Sequence, residues 1–188
     1  MAVRNPEILK EVLGNPRCLA RAFSRHVYGM VTWVDVFGGK LKSIKDLDAK
    51  LIAARVIADN AKHAKLFSDR ARELGENPQG YRPTQIGERI YEFLESYEDT
   101  IDCFAYALGS LNHFMLLLNL YYDVADAKSK RIIEEIRKDV EEHIELLNGY
   151  IKIHAGTPER IKRAEELRLL AESIYTERED EEIKWYAS

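Results

Sequence analysis

Cysteine is scarce in this sequence: its 188 residues include only Cys18 and Cys103, which lie far apart and outside any Cys-x-x-Cys motif. This excludes a disulfide framework and a zinc finger, and it favours a reducing, cytoplasmic location. Basic charge is not in excess, since 28 Lys and Arg face 32 Asp and Glu for a net charge of −4. We therefore expect no nucleic-acid partner. The first residues also lack the apolar core of a secretory signal.

Long hydrophobic runs are limited to one stretch without charge, Cys103–Tyr122. Its length would allow a membrane span. However, polar side chains interrupt it, and acidic Asp102 and Asp123 flank it where Lys or Arg would be expected on one side. We predict no membrane partner; the stretch should be the central helix of a bundle, or a helix buried in a dimer.

Strand-like alternation lasts only a few residues, whereas long runs with helical periodicity lie between Pro and Gly residues. The pattern predicts an all-α single domain over 1–188. It places an up-down four-helix bundle over 16–155, with short flanking helices that include a C-terminal helix over 157–179. The predicted helices run from Pro6 to Gly14, Pro16 to about Gly38, Ser43 to Gly75, Thr84 to about Ala125, Lys128 to about Ala155 and Thr157 to about Glu179.

Finer signals refine this outline. Ser43-Ile-Lys-Asp46 resembles an N-terminal capping box. The acidic cluster from Glu177 to Glu182 is expected to be a solvated face, and the aromatic end after it should dock on the body or on a neighbouring subunit. Charged pairs at helical spacing, such as Glu134 with Lys138, are consistent with a thermophilic source.

The most informative feature is a repeated Asp-x-x-x-His motif, found as Asp59 to His63 and again as Asp139 to His143. At this spacing the acid and the imidazole project from the same face of a helix. That face is apolar in both cases. His26 and His113 lie on similar apolar stripes, so each of the four long helices carries one inward histidine.

The segment from Ile57 to Pro78 carries Asp-Asn-Ala-Lys-His followed by Arg-Ala-Arg-Glu-Leu-Gly. It resembles the second helix of the ferritin-like superfamily, in particular the rubrerythrin and phenylacetyl-CoA monooxygenase branches. There the pattern reads Asp-Glu-x-x-His followed by Arg-x-x-Glu-Leu-Gly. The second motif fits the duplicated helix pair of that family. The resemblance covers 16–155 as architecture and implies a ferritin-like bundle.

The resemblance also implies a site for two iron ions, with one Glu from each of two helices and Glu-x-x-His from each of the other two. His63 and His143 match the histidine ligands. Asp59 and Asp139 match the acids that orient them. The two motif glutamates are replaced by Asn60 and Val140. The upstream segments 25–30 and 105–110, where the other two acids should lie, contain no carboxylate.

Two closely spaced iron ions repel each other and need anionic bridges, so we expect no di-iron site and no cofactor. We instead expect each histidine to form a hydrogen bond across the bundle with the Asp of the opposite repeat. The alternative is one Fe, Mn or Zn ion bound by two to four of the inward histidines with an acid. The candidate metal residues are His63, His143, Asp59, Asp139, His26 and His113.

Three functions follow from these expectations. The first is a non-catalytic structural or binding subunit that pairs with its own copy or with another helical bundle. The second is a metal-dependent oxidoreductase of the ferritin-like type, so the question of enzymatic activity stays open. The third is a carrier of an apolar small molecule in a cavity along the face from Tyr106 to Leu117. Gly29 and Gly109 are expected either to allow close helix approach or to open that cavity.

Overall fold

The computed structural model describes residues 3–188, which form seven helices and no strand. The all-α prediction is therefore confirmed. The helices are α1 (Pro6–Leu13), α2 (Pro16–Lys40), α3 (Leu47–Glu73), α4 (Gln85–Ser96), α5 (Thr100–Val124), α6 (Ala127–His154) and α7 (Pro158–Ala187).

Local signals set most helix ends. The side chain of Asn15 accepts a hydrogen bond from the N–H of Arg17 at 2.9 Å, directly before Pro16 at the first position of α2. Gly75 and Gly156 follow α3 and α6 with φ of +87° and +72°, the left-handed conformation that closes a helix. These predicted boundaries are confirmed.

The predicted capping box at Ser43 was wrong. Helix α3 begins at Leu47, and Asp46 is itself the cap, because its carboxylate accepts from the N–H of Ala49 at 2.8 Å. The Ser43 hydroxyl instead donates to the carbonyl of Lys40 at 2.8 Å, closing the end of α2.

The predicted continuous helix from Thr84 to Ala125 is also wrong, because it is broken between α4 and α5. Tyr97 is extended, with ψ of 114°. Asp99 then caps a new helix by accepting from the N–H groups of Ile101 and Asp102 at 2.9 and 3.1 Å. The apolar pattern continues across the break, but a side-chain cap ends one helix and starts the next.

Contacts between helices define their directions. Helices α3 and α6 are antiparallel, because Asp59 meets His143 and His63 meets Asp139. Helices α2 and α5 are antiparallel too, since His26 meets Tyr121 at one end and Lys40 bonds the carbonyl of Tyr97 at the other.

Helix α3 follows α2 through a short turn and packs along it, with Phe23 against Phe67. Helices α3 and α5 therefore run in the same direction. The connection between them is not only a loop over 76–83 but a crossover over 74–99 that contains α4. The four long helices run up, down, down and up, rather than alternating.

Helix α5 is the centre of the fold. It packs against α6 on one side and α7 on the other, α1 and α4 also contact it, and His26 of α2 bonds its Tyr121. Within residues 3–188 it is the one helix that is long and apolar enough to cross a membrane, and 78% of its apolar window is buried inside the protein. The charge-free stretch is therefore mostly buried within the chain itself.

Helix α7 is longer than predicted and ends at Ala187. It runs parallel to α5, with Arg160 bonded to Asp99 and Tyr175 stacked on His113. Tyr186 is 1% exposed, so the aromatic end docks on the body.

The acidic cluster is solvated only in part, which corrects the prediction, because Glu177 is exposed whereas Glu179 and Glu182 are buried. Glu179 is 3% exposed and accepts from the N–H groups of Arg4 and Asn5 at 2.8 and 2.7 Å, which ties the segment before α1 to α7. Glu182 is also buried, among arginines described below.

Candidate functional site

Two reciprocal acid–imidazole pairs join α3 and α6 at the middle of the fold. His63 Nε2 donates to Asp139 Oδ2 at 2.9 Å, and His143 Nε2 donates to Asp59 Oδ2 at 3.0 Å. Both imidazoles are 1% exposed, and their ring centroids lie 6.4 Å apart. The predicted partnership between each histidine and the Asp of the opposite repeat is therefore present.

A cation at the outer side of each pair shares the carboxylate oxygen. Arg55 Nε donates to Asp59 Oδ2 at 2.6 Å, and the Lys62 ammonium donates to Asp139. Burial opposes ionisation of Asp139, but the hydrogen bonds from Lys62 and His63 outweigh it and lower its pKa. Burial lowers the pKa of His63, although Asp139 acts in the other direction. The pair is thus a neutral imidazole donating to a carboxylate.

The inner sides of the pairs border a small cavity of about 20 Å³. This is space for about one water molecule or a single ion. It is far below the several hundred Å³ of a pocket for an organic ligand. The cavity is lined by Arg25, His26, Gly29, Met30, Trp33, Asn60, His63, Tyr91, Ser110, Leu111, Phe114, Leu117, Val140, His143 and Tyr175. No carboxylate belongs to this lining.

The residues that directly follow the two acids in sequence lie at this cavity. Asn60 and Val140 both line it and are 4% and 1% exposed. The Asn60 amide donates to the carbonyl of Val56 at 2.8 Å, within its own helix. Ser110 on α5 donates likewise to the carbonyl of Tyr106, at 3.2 Å. These polar groups are therefore engaged with their own backbone.

His26 lines the same cavity, but both of its nitrogens are already used. Arg25 donates to His26 Nδ1 at 3.1 Å, and because a guanidinium only donates, the ring proton must be on Nε2. His26 Nε2 then donates to the Tyr121 hydroxyl at 2.8 Å. Burial beside Arg25 holds the pKa of His26 well below its usual value. His26 is thus a satisfied core histidine.

His113 lies outside the cavity. Its ring stacks on Tyr175 with centroids 5.1 Å apart, and its Nδ1 is buried without a hydrogen-bond partner. Burial lowers its pKa to about 4. Of the six sequence candidates, the structure brings His26, His63 and His143 to one cavity, and it places both acids behind the last two rings.

Gly29 and Gly109 lie where another element approaches their helix closely, which is one of the two alternatives expected for them. A Cβ on Gly29 would lie 2.8 Å from the Tyr91 hydroxyl, and one on Gly109 would lie 2.1 Å from the carbonyl oxygen of Arg168. Gly29 also lines the cavity, whereas Gly109 serves the packing of α5 on α7.

A buried charge cluster beside the cavity was missed from the sequence. Glu182 Oε1 lies 2.5 Å from Arg25 Nε and 2.8 Å from Arg178 Nε, and both arginines are almost fully buried. Arg178 also covers the ring of Tyr175 at 4.7 Å. The i, i+4 spacing of Arg178 and Glu182 was a weak signal for their pairing. Nothing local connected them with Arg25.

In the part of the chain that the structure describes, no three His, Cys, Asp or Glu side chains are grouped so as to hold a metal ion. No family model matches the chain, and no significantly similar curated protein or solved structure was found.

Proposed function

We propose that this chain is a ferritin-like bundle that holds no di-iron centre and acts as a non-catalytic structural or binding subunit. Two features support the ferritin-like assignment. The four long helices are connected through one long crossover, as in ferritin-like folds. In addition, the resemblance to the Asp-Glu-x-x-His motifs extends to the acids that orient the histidines in that family.

The observation that carries the functional proposal is the lining of the cavity between the two pairs. The resemblance would put the family's metal site here, yet the lining contains no carboxylate, and Arg25 adds positive charge to its wall. Two iron ions there would lack the anions that bridge them and reduce their repulsion. The small volume equally disfavours the apolar carrier, because an organic ligand does not fit.

Metal analysis tests this proposal. Protein purified from cells supplied with iron, manganese and zinc should contain much less than one ion per chain. The control is the His63→Ala, His143→Ala double variant, which should give the same background. Near-stoichiometric iron, manganese or zinc that disappears in the double variant would contradict the proposal.

The proposed partner is a second copy of this chain or another helical bundle. Leu47 and Leu51 at the start of α3 are 67% and 60% exposed, and Ile153 at the end of α6 is 76% exposed. The antiparallel register of α3 and α6 brings these side chains to the same end of the fold. Light scattering of the purified protein gives its molar mass in solution. A mass above that of one chain, lowered by Leu51→Glu, indicates self-association, whereas a monomer indicates that another bundle is the partner.

A second candidate is a ferritin-like oxidoreductase with one Fe, Mn or Zn ion. The buried Nδ1 of His143, which has no hydrogen-bond partner and belongs to a ring at the cavity, favours this alternative. It predicts bound metal and turnover that depends on dioxygen or peroxide. Turnover that survives the His63→Ala, His143→Ala substitutions would argue against it.

A further inference from the structure

His63 and His143 both line the cavity between the Asp–His pairs, and each ring bonds an Asp through Nε2, which leaves Nδ1 as its second nitrogen. Asp59 accepts from Nε2 of His143, and Nδ1 of that ring is buried without a hydrogen-bond partner. Asp139 accepts from Nε2 of His63 in the same way. Each carboxylate therefore orients its imidazole as an acid oriented behind a metal-bound histidine would.

The separation of the rings suits one ion between them. A metal ion binds an imidazole nitrogen at about 2 Å, and the ring centroid lies roughly 1 Å further back, so two rings on opposite sides of an ion have centroids about 6 Å apart. The centroids of His63 and His143 are 6.4 Å apart. The cavity of about 20 Å³ has room for a single ion.

A soft third donor lines the same cavity. Met30 on α2 is 7% exposed and lines the same cavity as His63 and His143. Thioether sulfur is a preferred ligand of monovalent copper, and it is a poor ligand for Mg, Ca and Mn.

Charge decides which ion fits. Because the cavity lining contains Arg25 and no carboxylate, a divalent ion would have no anionic ligand in a buried site. A monovalent ion carries half of that charge and suffers a smaller desolvation penalty. Neutral imidazole and thioether donors are suitable ligands for it.

We propose that His63, His143 and Met30 form a buried site for one monovalent copper ion. This inference rests on the proposed loss of the di-iron centre, and it names the ligand of a binding role. Asp59 and Asp139 are positioning residues in it, since they orient the two imidazoles without contacting the ion.

The test is an anaerobic titration of the protein with Cu(I) against a chromophoric Cu(I) chelator. We expect one ion per chain. His143→Gln should weaken binding at least about tenfold, because the Gln amide can replace Nε2 toward Asp59 but offers no nitrogen at the Nδ1 position. Met30→Leu should weaken binding similarly, since it keeps the volume and removes the sulfur.

Matched controls use residues of the same types away from the cavity. His113→Gln and Met115→Leu should leave the affinity unchanged, as neither residue lines the cavity. Cys18 and Cys103 are also outside it, so a Cys18→Ala, Cys103→Ala variant should still bind one ion. Circular dichroism confirms that each variant is folded.

Three results would overturn the copper site: no Cu(I) binding by the wild-type protein, binding that is lost with the cysteines, or equal affinity in the cavity and control variants. X-ray absorption of the loaded wild-type protein should show nitrogen and sulfur ligands, and an oxygen-only shell would also overturn it. Parallel incubation with Fe(II) separates the two proposals. Iron bound at two per chain contradicts the loss of the di-iron centre, whereas failure of copper alone leaves that proposal intact.

Discussion

Gly109 on α5 contacts the backbone of Arg168 on α7 so closely that a Cβ would lie 2.1 Å from the Arg168 carbonyl oxygen and 2.9 Å from the Cβ of Ala171. The obstacle is a helix backbone, which cannot rotate away as a flexible side chain does. The two helices pack together only because this position has no side chain.

Gly109→Ala is therefore expected to lower the free energy of unfolding by about 3 kcal/mol or more, because α7 must move away from α5. Gly149 is the control: it lies within α6, and a Cβ there would meet nothing within 4 Å. Gly149→Ala should raise stability by about 0.5–1 kcal/mol. Urea denaturation of both variants tests this, and similar effects at the two positions would refute the close packing.

Removal of one acid from an Asp–His pair should also destabilise the fold. Asp59→Ala leaves the buried Nε2–H of His143 without an acceptor, at a cost of about 1–3 kcal/mol. The comparison is Asp69→Ala, which removes an exposed pair with Lys65 and should cost less than about 0.5 kcal/mol. Thermal unfolding of the two variants would show equal shifts if the Asp59 pair contributed nothing.

The buried Arg25–Glu182–Arg178 cluster predicts a larger effect. Glu182→Gln leaves two almost fully buried guanidinium groups without their shared anion, and we expect a loss of about 3–5 kcal/mol. Glu177→Gln on the same helix removes only an exposed contact at 3.7 Å to Arg89 and should change stability by less than about 0.5 kcal/mol. Chemical denaturation that gave both variants wild-type stability would show that the cluster is not a structural requirement.

The burial of His113 should make the free energy of unfolding depend on pH. Its pKa in the folded protein is lowered by burial from the ordinary 6.5 to about 4, so between these values the unfolded chain binds a proton that the folded chain does not. The contribution of neutral His113 is complete above pH 6.5 and is lost as the pH falls toward 4, by about 3 kcal/mol in total. His113→Gln should flatten the profile by that amount. Parallel profiles for wild type and variant over this range would contradict the prediction.

The sequence was sufficient where the determining interactions are local. Pro16, Gly75 and Gly156 mark helix ends through backbone geometry that neighbours in sequence decide. The acid–imidazole pairs were also predictable, because i, i+4 spacing fixes a common face and the repeated motif supplies the partner.

Long-range contacts were not predictable in the same way. Burial of Glu182 depends on α7 packing beside α2, and no nearby residue indicates that Arg25 would be its partner. The break at Tyr97 was missed because the apolar pattern continues across it, although Asp99-Thr100 is a good start signal for a helix. Met30 carried no signal beyond its place on an apolar stripe.

The crossed arrangement of Asp59 with His143 and His63 with Asp139 has a consequence for how α3 and α6 align. If α3 slid by one turn in one direction, Asp59 would face Asp139; if it slid in the other, His63 would face His143. The first mismatch brings two carboxylates together, and the second leaves two buried rings without acceptors. Only the observed alignment satisfies all four side chains. The two pairs therefore fix the register of α3 against α6, and they do so without any bound ligand.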